Sequence, residues 1–240
     1  MIALVDERLG AAEERALMLG GANVIRLPRA RALPEAVCSH PDMLLFYNSG
    51  HIITSADWFE ESPYALTDVY EAVRGIRITC TSDVHGSEYP NDAIFNALVA
   101  GRYIFYKEDT VSEAIKKHAR DYGLTPVHVR QGYPACTSLA FGGAMITADE
   151  GMARAARGVG IRVPLIENGG ISLPPYEYGF IGGAAGVFRD NVYFIGDLET
   201  HPDHARIEEA IRAEGYTPVS LSDAPLRDLG RIIFIEDRIN

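Results

Sequence analysis

The chain has 240 residues, 47% of them hydrophobic and 23% charged, and its 22 Lys and Arg against 33 Asp and Glu give a net charge of −11. That composition supports a large core, and its negative field disfavours nucleic acid and anionic membrane as partners while favouring a cationic ligand. Cys38, Cys80 and Cys136 are too few and too irregular for a disulfide framework or a zinc site, no run approaches the ~20 apolar residues of a membrane span, and Asp6-Glu7-Arg8 spoils a signal peptide, so a reducing cytoplasm is expected.

Along the chain one pattern recurs five times: an apolar strand ending in an acid, a helix, a glycine and a second strand. The first strands are 1–6 (MIALVD), 51–57 (HIITSAD), 102–109 (RYIFYKED), 144–149 (AMITAD) and 192–197 (VYFIGD). Their terminal carboxylates suit helix N-termini, where free N–H groups and the dipole favour negative charge. The helices read as 11–19, 63–74, 111–122, 151–157 and 202–214, with proline at a first position in Ser62-Pro63 and capping-box form in Thr110-Val111-Ser112-Glu113. Gly21, Gly75, Gly123, Gly160 and Gly215 follow them, as C′ residues in the left-handed conformation. The second strands are NVIRLP, IRITC, LTPVHV, IRVPLI and YTPVSL.

A third strand (DMLLFY, AIFNALV, CTSLAF or GAAGVF) precedes four of the repeats across a hairpin turn. A sixth copy of the first strand, 231–237 (RIIFIED), has no helix after it and is expected to pair beside the N-terminal strand, closing a ring. No linker interrupts the period. Residues 1–240 therefore read as a single α/β domain, a five-fold pseudosymmetric propeller of ββαβ-like repeats whose third strands line a central channel.

The N-terminal ends of the channel strands face its mouth, and two of them carry chemistry. Ser39-His40-Pro41-Asp42 precedes one, and Gly132-Tyr133-Pro134-Ala135-Cys136-Thr137 opens another two units later. Thiolate, imidazole and carboxylate suit attack on an electron-poor guanidinium or amidinium carbon. Cysteine is both nucleophile and leaving group, histidine protonates the departing amine and activates water, and a carboxylate such as Asp42 accepts two guanidinium N–H bonds side by side. Asn91, Asp92 and Asn96, at the start of the intervening channel strand, are candidate ligand contacts, as is Asp83.

Each reading has a plainer rival. A lone cysteine in a strand is most often a small buried hydrophobe, His40-Pro41-Asp42 can be a turn, and the second tripeptide of the same kind, His201-Pro202-Asp203, reads as a helix cap. Cys38 and Cys80 read as structural. His85, in the longest connection between strands, is the rival base.

The repeats together with His40-x-Asp42, the apolar run after it and Gly132–Thr137 resemble the pentein fold of guanidine-modifying hydrolases and amidinotransferases, which also includes a ribosome anti-association factor. The run Gln131-Gly132-Tyr133 with Cys136, Gly179–Ala184 and Gly196-Asp197-Leu198 is similar to an uncharacterised bacterial branch. The resemblance implies a cysteine hydrolase or transferase of deiminase type with Cys136 as nucleophile, His40 as acid and base and Asp42 orienting a small cationic or polar substrate, with no cofactor or metal. A non-catalytic pentein binding a protein or ribosomal partner, or a small-ligand sensor, is the alternative. Two positions depart from the pattern. Ala135 stands where a histidine is usual, and Ile181-Gly182-Gly183 lacks the acid expected on the strand after the cysteine unit, so Asp83, Asp92 or Asp228 must substitute or the ligand differs.

Overall fold

The computed structural model describes residues 1–236, in which the successive units build separate small sheets. In chain order the elements are β1 (Ile2–Asp6), α1 (Ala11–Leu19) and β2 (Asn23–Leu27), then α2 (Pro41–Leu44), β3 (Leu45–Asn48), β4 (His51–Ser55), α3 (Ala56–Glu61), α4 (Pro63–Ala72) and β5 (Arg77–Thr81). Next come β6 (Leu98–Ala100), β7 (Tyr103–Tyr106), α5 (Glu113–Asp121) and β8 (Thr125–His128), followed by α6 (Pro134–Thr137), β9 (Ser138–Phe141), β10 (Ala144–Thr147) and α7 (Glu150–Gly158). The last are β11 (Ala185–Phe188), β12 (Asn191–Phe194), α8 (His204–Ala213), β13 (Thr217–Ser220) and β14 (Ile233–Ile235).

The sheets share one plan. A middle strand pairs antiparallel with a hairpin partner on one side and parallel with the strand after its helix on the other, in the orders β14-β1-β2, β3-β4-β5, β6-β7-β8 and β11-β12-β13. In the remaining sheet β9 pairs with β10, but the segment 161–166 forms only the isolated bridges Ala144↔Arg162 and Thr147↔Leu165. They flank Pro164, which has no N–H to give a ladder.

β14 pairs antiparallel with β1, Ala3 opposite Phe234, so it does lie beside the N-terminal strand. It is not a sixth first strand, however. It stands where β3 stands beside β4, as the hairpin-side strand of the first sheet, and Asp237 of the expected strand lies outside the described residues. The hairpin-side strands meet one another, β6 beside β9, β9 beside β11 and β11 beside β14.

All five expected helix-ending glycines adopt φ between +65° and +84°. Gly21, Gly123, Gly160 and Gly215 are the C′ residues of their helices, whereas Gly75 lies one position further on, since α4 closes at its C-cap Val73. Two expected caps differ. Ser112, not Thr110, is the N-cap of α5, its hydroxyl accepting the Ala114 N–H, and α8 begins at His204 without a side-chain cap. Helices and sheets bury apolar faces together. Leu4, Leu27 and Ile52 pack with Trp58, Leu66 and Val69 of α3 and α4, and the Trp58 indole N–H donates to the Pro28 carbonyl at 3.0 Å. Among the described residues no helix is long and apolar enough to cross a membrane.

The segments leading into β3, β6 and β9 are not strand. Pro41 and Pro134 each open a helical turn, where a missing N–H costs nothing, and residues 93–97 turn tightly through Ala93 N to Pro90 O and Asn96 N to Ala93 O bonds. These turns gather the polar side chains of the next section.

Candidate active site

Cys136, His40, Asp92 and Asp228 line one pocket of about 390 Å³, with Tyr133, Tyr176, Glu177, Tyr178 and Phe180 among the other walls. Cys136 lies in the α6 turn, and Asn96 fixes it. The Asn96 amide donates to Cys136 Sγ at 3.0 Å and to the Asp42 carbonyl at 3.2 Å, while its Oδ1 accepts the Ala135 N–H at 2.8 Å. A donor on sulfur favours the thiolate. Burial opposes it and dominates, and Asp42 and Asp228 reinforce the opposition, so without a ligand the thiol is held well above its ordinary range.

His40 is fully buried between two acids, with Nδ1 3.8 Å from Asp228 Oδ1 and Nε2 3.9 Å from Asp6 Oδ2, and Nε2 has no hydrogen-bond partner. Burial lowers its pKa more than Asp228 and Asp6 raise it, so the imidazole is neutral at pH 7. Asp6 is neutralised by Arg8, whose Nε and Nη2 donate to its two oxygens at 2.9 and 2.7 Å. Gly230, at φ +68°, passes so close to His40 that a Cβ would overlap the His40 side chain.

Asp228 supplies an acid where Ile181-Gly182-Gly183 has none. It reaches in from the segment between β13 and β14, and its oxygens accept the Phe180 N–H at 2.9 Å and the Gly230 N–H at 3.1 Å. A side chain at Gly183 would collide with its carboxylate, so the glycine that removes an acid from that strand makes room for another from elsewhere. Burial raises the Asp228 pKa, opposed chiefly by His40. Asp92 accepts the Tyr133 hydroxyl at 2.7 Å through Oδ2, which with burial pushes the Tyr133 pKa up, while its buried Oδ1 has no partner.

Asp42 is near the thiol but does not line this pocket. It faces a separate cavity of about 210 Å³, walled by β3, β6, β11 and β14 residues and by Arg231. Neither Asp42 oxygen has a hydrogen-bond partner, and burial lifts its pKa to about 6 despite the nearby thiol and guanidinium. Of the other expected contacts, Asn96 acts on Cys136, and Asn91 and Asp83 are not brought into the pocket. Asn91 is exposed in a turn closed by Gly86 N to Asn91 O, and the Asp83 carboxylate accepts the Ser112 hydroxyl. His85 is also elsewhere, both nitrogens engaged, by Ser55 Oγ at 2.9 Å and the Met43 carbonyl at 3.1 Å. Sequence reasoning quoted Tyr133 only as part of the Gly132–Thr137 segment and did not single out Glu177 or the aromatic run 176–180 as walls, because that run lies in an irregular loop without a period.

Among the described residues lining the pocket there are three acids, Asp92, Glu177 and Asp228, and no lysine or arginine. Such a cavity suits a cation with several N–H donors.

No curated protein sequence matches the chain. Solved structures of pentein superfamily members are similar to it over most of its length. An inosamine-phosphate amidinotransferase from Streptomyces griseus is 16% identical with a TM-score of 0.58, covering 97% of this chain and 82% of that one. A dimethylarginine dimethylaminohydrolase is 14% identical with a TM-score of 0.57, covering 92% and 91%. An amidinotransferase of saxitoxin biosynthesis from Microseira wollei is 11% identical with a TM-score of 0.56, covering 95% and 79%. At these identities the likeness is one of fold. Residues 4–233 match the model of a family of unknown function, DUF6873, and the chain belongs to that family.

Proposed function

We propose that the five sheets form a single domain ringed about a central channel, and that its Cys136 mouth is the active site of a cysteine-dependent hydrolase or transferase acting on a guanidine, amidine or related C–N bond. The observation that carries this reading is the convergence of a thiol, a neutral imidazole and buried carboxylates on one pocket with, among the described residues, no lysine or arginine. The similar structures named for amidinotransferases and a dimethylarginine hydrolase point the same way.

A guanidinium seated against Asp92 and Asp228 supplies the positive charge the thiol lacks. The Cys136 proton then passes to His40, and the thiolate forms a C–S bond to the guanidinium carbon. His40 returns that proton to the departing nitrogen as its C–N bond breaks, leaving an S-alkylthiouronium. Water, deprotonated by His40, adds to the same carbon and expels the thiolate, giving a urea; an amine in place of water gives amidino transfer. Asp228 and Asp6 steady the imidazolium that forms between the proton transfers.

The test uses an isosteric pair of alkylating agents, cationic chloroacetamidine and neutral chloroacetamide, with labelling of each cysteine read by peptide mass mapping. Chloroacetamidine should label Cys136 much faster near neutral pH, and Asp228→Asn should erase the preference. Equal rates for the two reagents would sink the reading. Turnover of a guanidine panel then separates an enzyme from a ligand sensor that has kept the pocket.

A further inference from the structure

Resting on the guanidine reading, we propose that the substrate's tail carries an amine and no carboxylate, so that the substrate is an aminoalkylguanidine dication rather than a guanidino amino acid. Deep in the pocket, Asp228 and the unpartnered, buried Oδ1 of Asp92 are enough for one guanidinium. A third acid remains. Glu177 is an exposed lining residue flanked in sequence by Tyr176 and Tyr178, which also line the pocket and are of the aromatic kind that attracts a second cation.

Among the described residues lining the pocket, no lysine or arginine is present to pair with a carboxylate. Arg231 lines the separate cavity behind Asp42, and Arg8 is taken up by Asp6 and by the Glu35 and Ala36 carbonyls. The negative field also continues beyond the pocket. Across the wall shared at Tyr178 and Phe180 lies a second cavity of about 390 Å³, lined by Asp149, Glu150 and Glu167 and, among the described residues, by no lysine or arginine. An anionic tail would exchange water for like charge, whereas an ammonium tail would gain Glu177.

The experiment measures protection of Cys136 from chloroacetamidine by 4-guanidinobutylamine, butylguanidine, 4-guanidinobutyrate and L-arginine. The amine should protect about fivefold better than butylguanidine, the size expected of one partly solvated ion pair, and 4-guanidinobutyrate and L-arginine should protect worse than both. In Glu177→Gln, an exposed substitution, the ratio of amine to butyl protection should fall to about one. Protection by 4-guanidinobutyrate or L-arginine equal to that by the amine overturns the tail assignment and leaves the guanidine reading standing. Absence of protection by all four overturns both.

Discussion

His40-Pro41-Asp42 and His201-Pro202-Asp203 are the same tripeptide in two surroundings. At the first, proline starts the α2 turn, and both the imidazole and the carboxylate end up buried without conventional partners. At the second, His201 Nε2 is likewise buried without a partner, but His201 Nδ1 accepts the Asp203 N–H at 3.0 Å and Asp203 Oδ2 accepts the Glu167 N–H at 2.7 Å, tying a loop to the start of α8. The cap expected there is absent because the carboxylate serves that loop. One copy is held ready for an outside partner and the other is largely consumed locally, a difference made by Asp6, Asp228, Gly230 and Cys136, which are distant in sequence from His40.

The sharpest way to test this contrast is at the thiol both the motif and the pocket converge on. Cys136→Ser should lower guanidine turnover by about 10⁴-fold or more while leaving thermal unfolding near wild type, since the two side chains are close in size. Comparing the tripeptides directly, His40→Ala should slow turnover by about 10²- to 10⁴-fold, and His201→Ala should leave chloroacetamidine labelling of Cys136 unchanged. Equal slowing by both would mean that the contrast has no catalytic meaning.

Asp42 gives a pH signature. Its folded pKa of about 6 exceeds the 3.8 of the exposed group, so the folded state holds the extra proton and loses stability as pH rises between these values, by ~3 kcal/mol in all. The stability of Asp42→Asn should therefore rise relative to wild type as pH goes from 4 to 7, whatever the offset left by Arg231, and a flat difference would count against a buried, ionising Asp42. Asn96→Ala should cost about 1–3 kcal/mol in urea unfolding, because it strands the Ala135 N–H, and should slow Cys136 labelling. The smallest effect is expected at Asp203→Asn, about 1 kcal/mol or less from one loop hydrogen bond.

The local pattern was legible where one segment's own periodicity and termination decide it. Helix 11–19 was read to the residue, four of the five glycines end their helices as C′ residues, and Asp149 caps α7 by accepting the Met152 N–H at 2.7 Å. The site was legible in part. His40, Cys136 and Asp92 meet because each opens or precedes a hairpin-side strand, a position the repeat marks. Asp42 and Asn96 were found but not their directions: one faces the Arg231 cavity and the other holds the thiol. Asn91 and Asp83 were drawn in by position alone: Asn91 closes a turn with Gly86, and the Asp83 carboxylate is taken up by the hydroxyl of Ser112 at the start of α5.

The sequence by itself determined four of the five strand–helix–strand units, their boundaries to within a few residues and the acidic balance, since hydrophobic period, glycine and proline act over a few neighbours. Only the tertiary structure decided that the final strand belongs to the first sheet and that the missing acid of the Gly182-Gly183 strand arrives as Asp228. It also decided which of two identical tripeptides shares a pocket with a thiol. Each of these depends on which residues far apart in the chain exclude water from one another, and burial, which moves the ionisation of His40, Asp42, Cys136 and Asp228 alike, is a property of the packed molecule rather than of any segment.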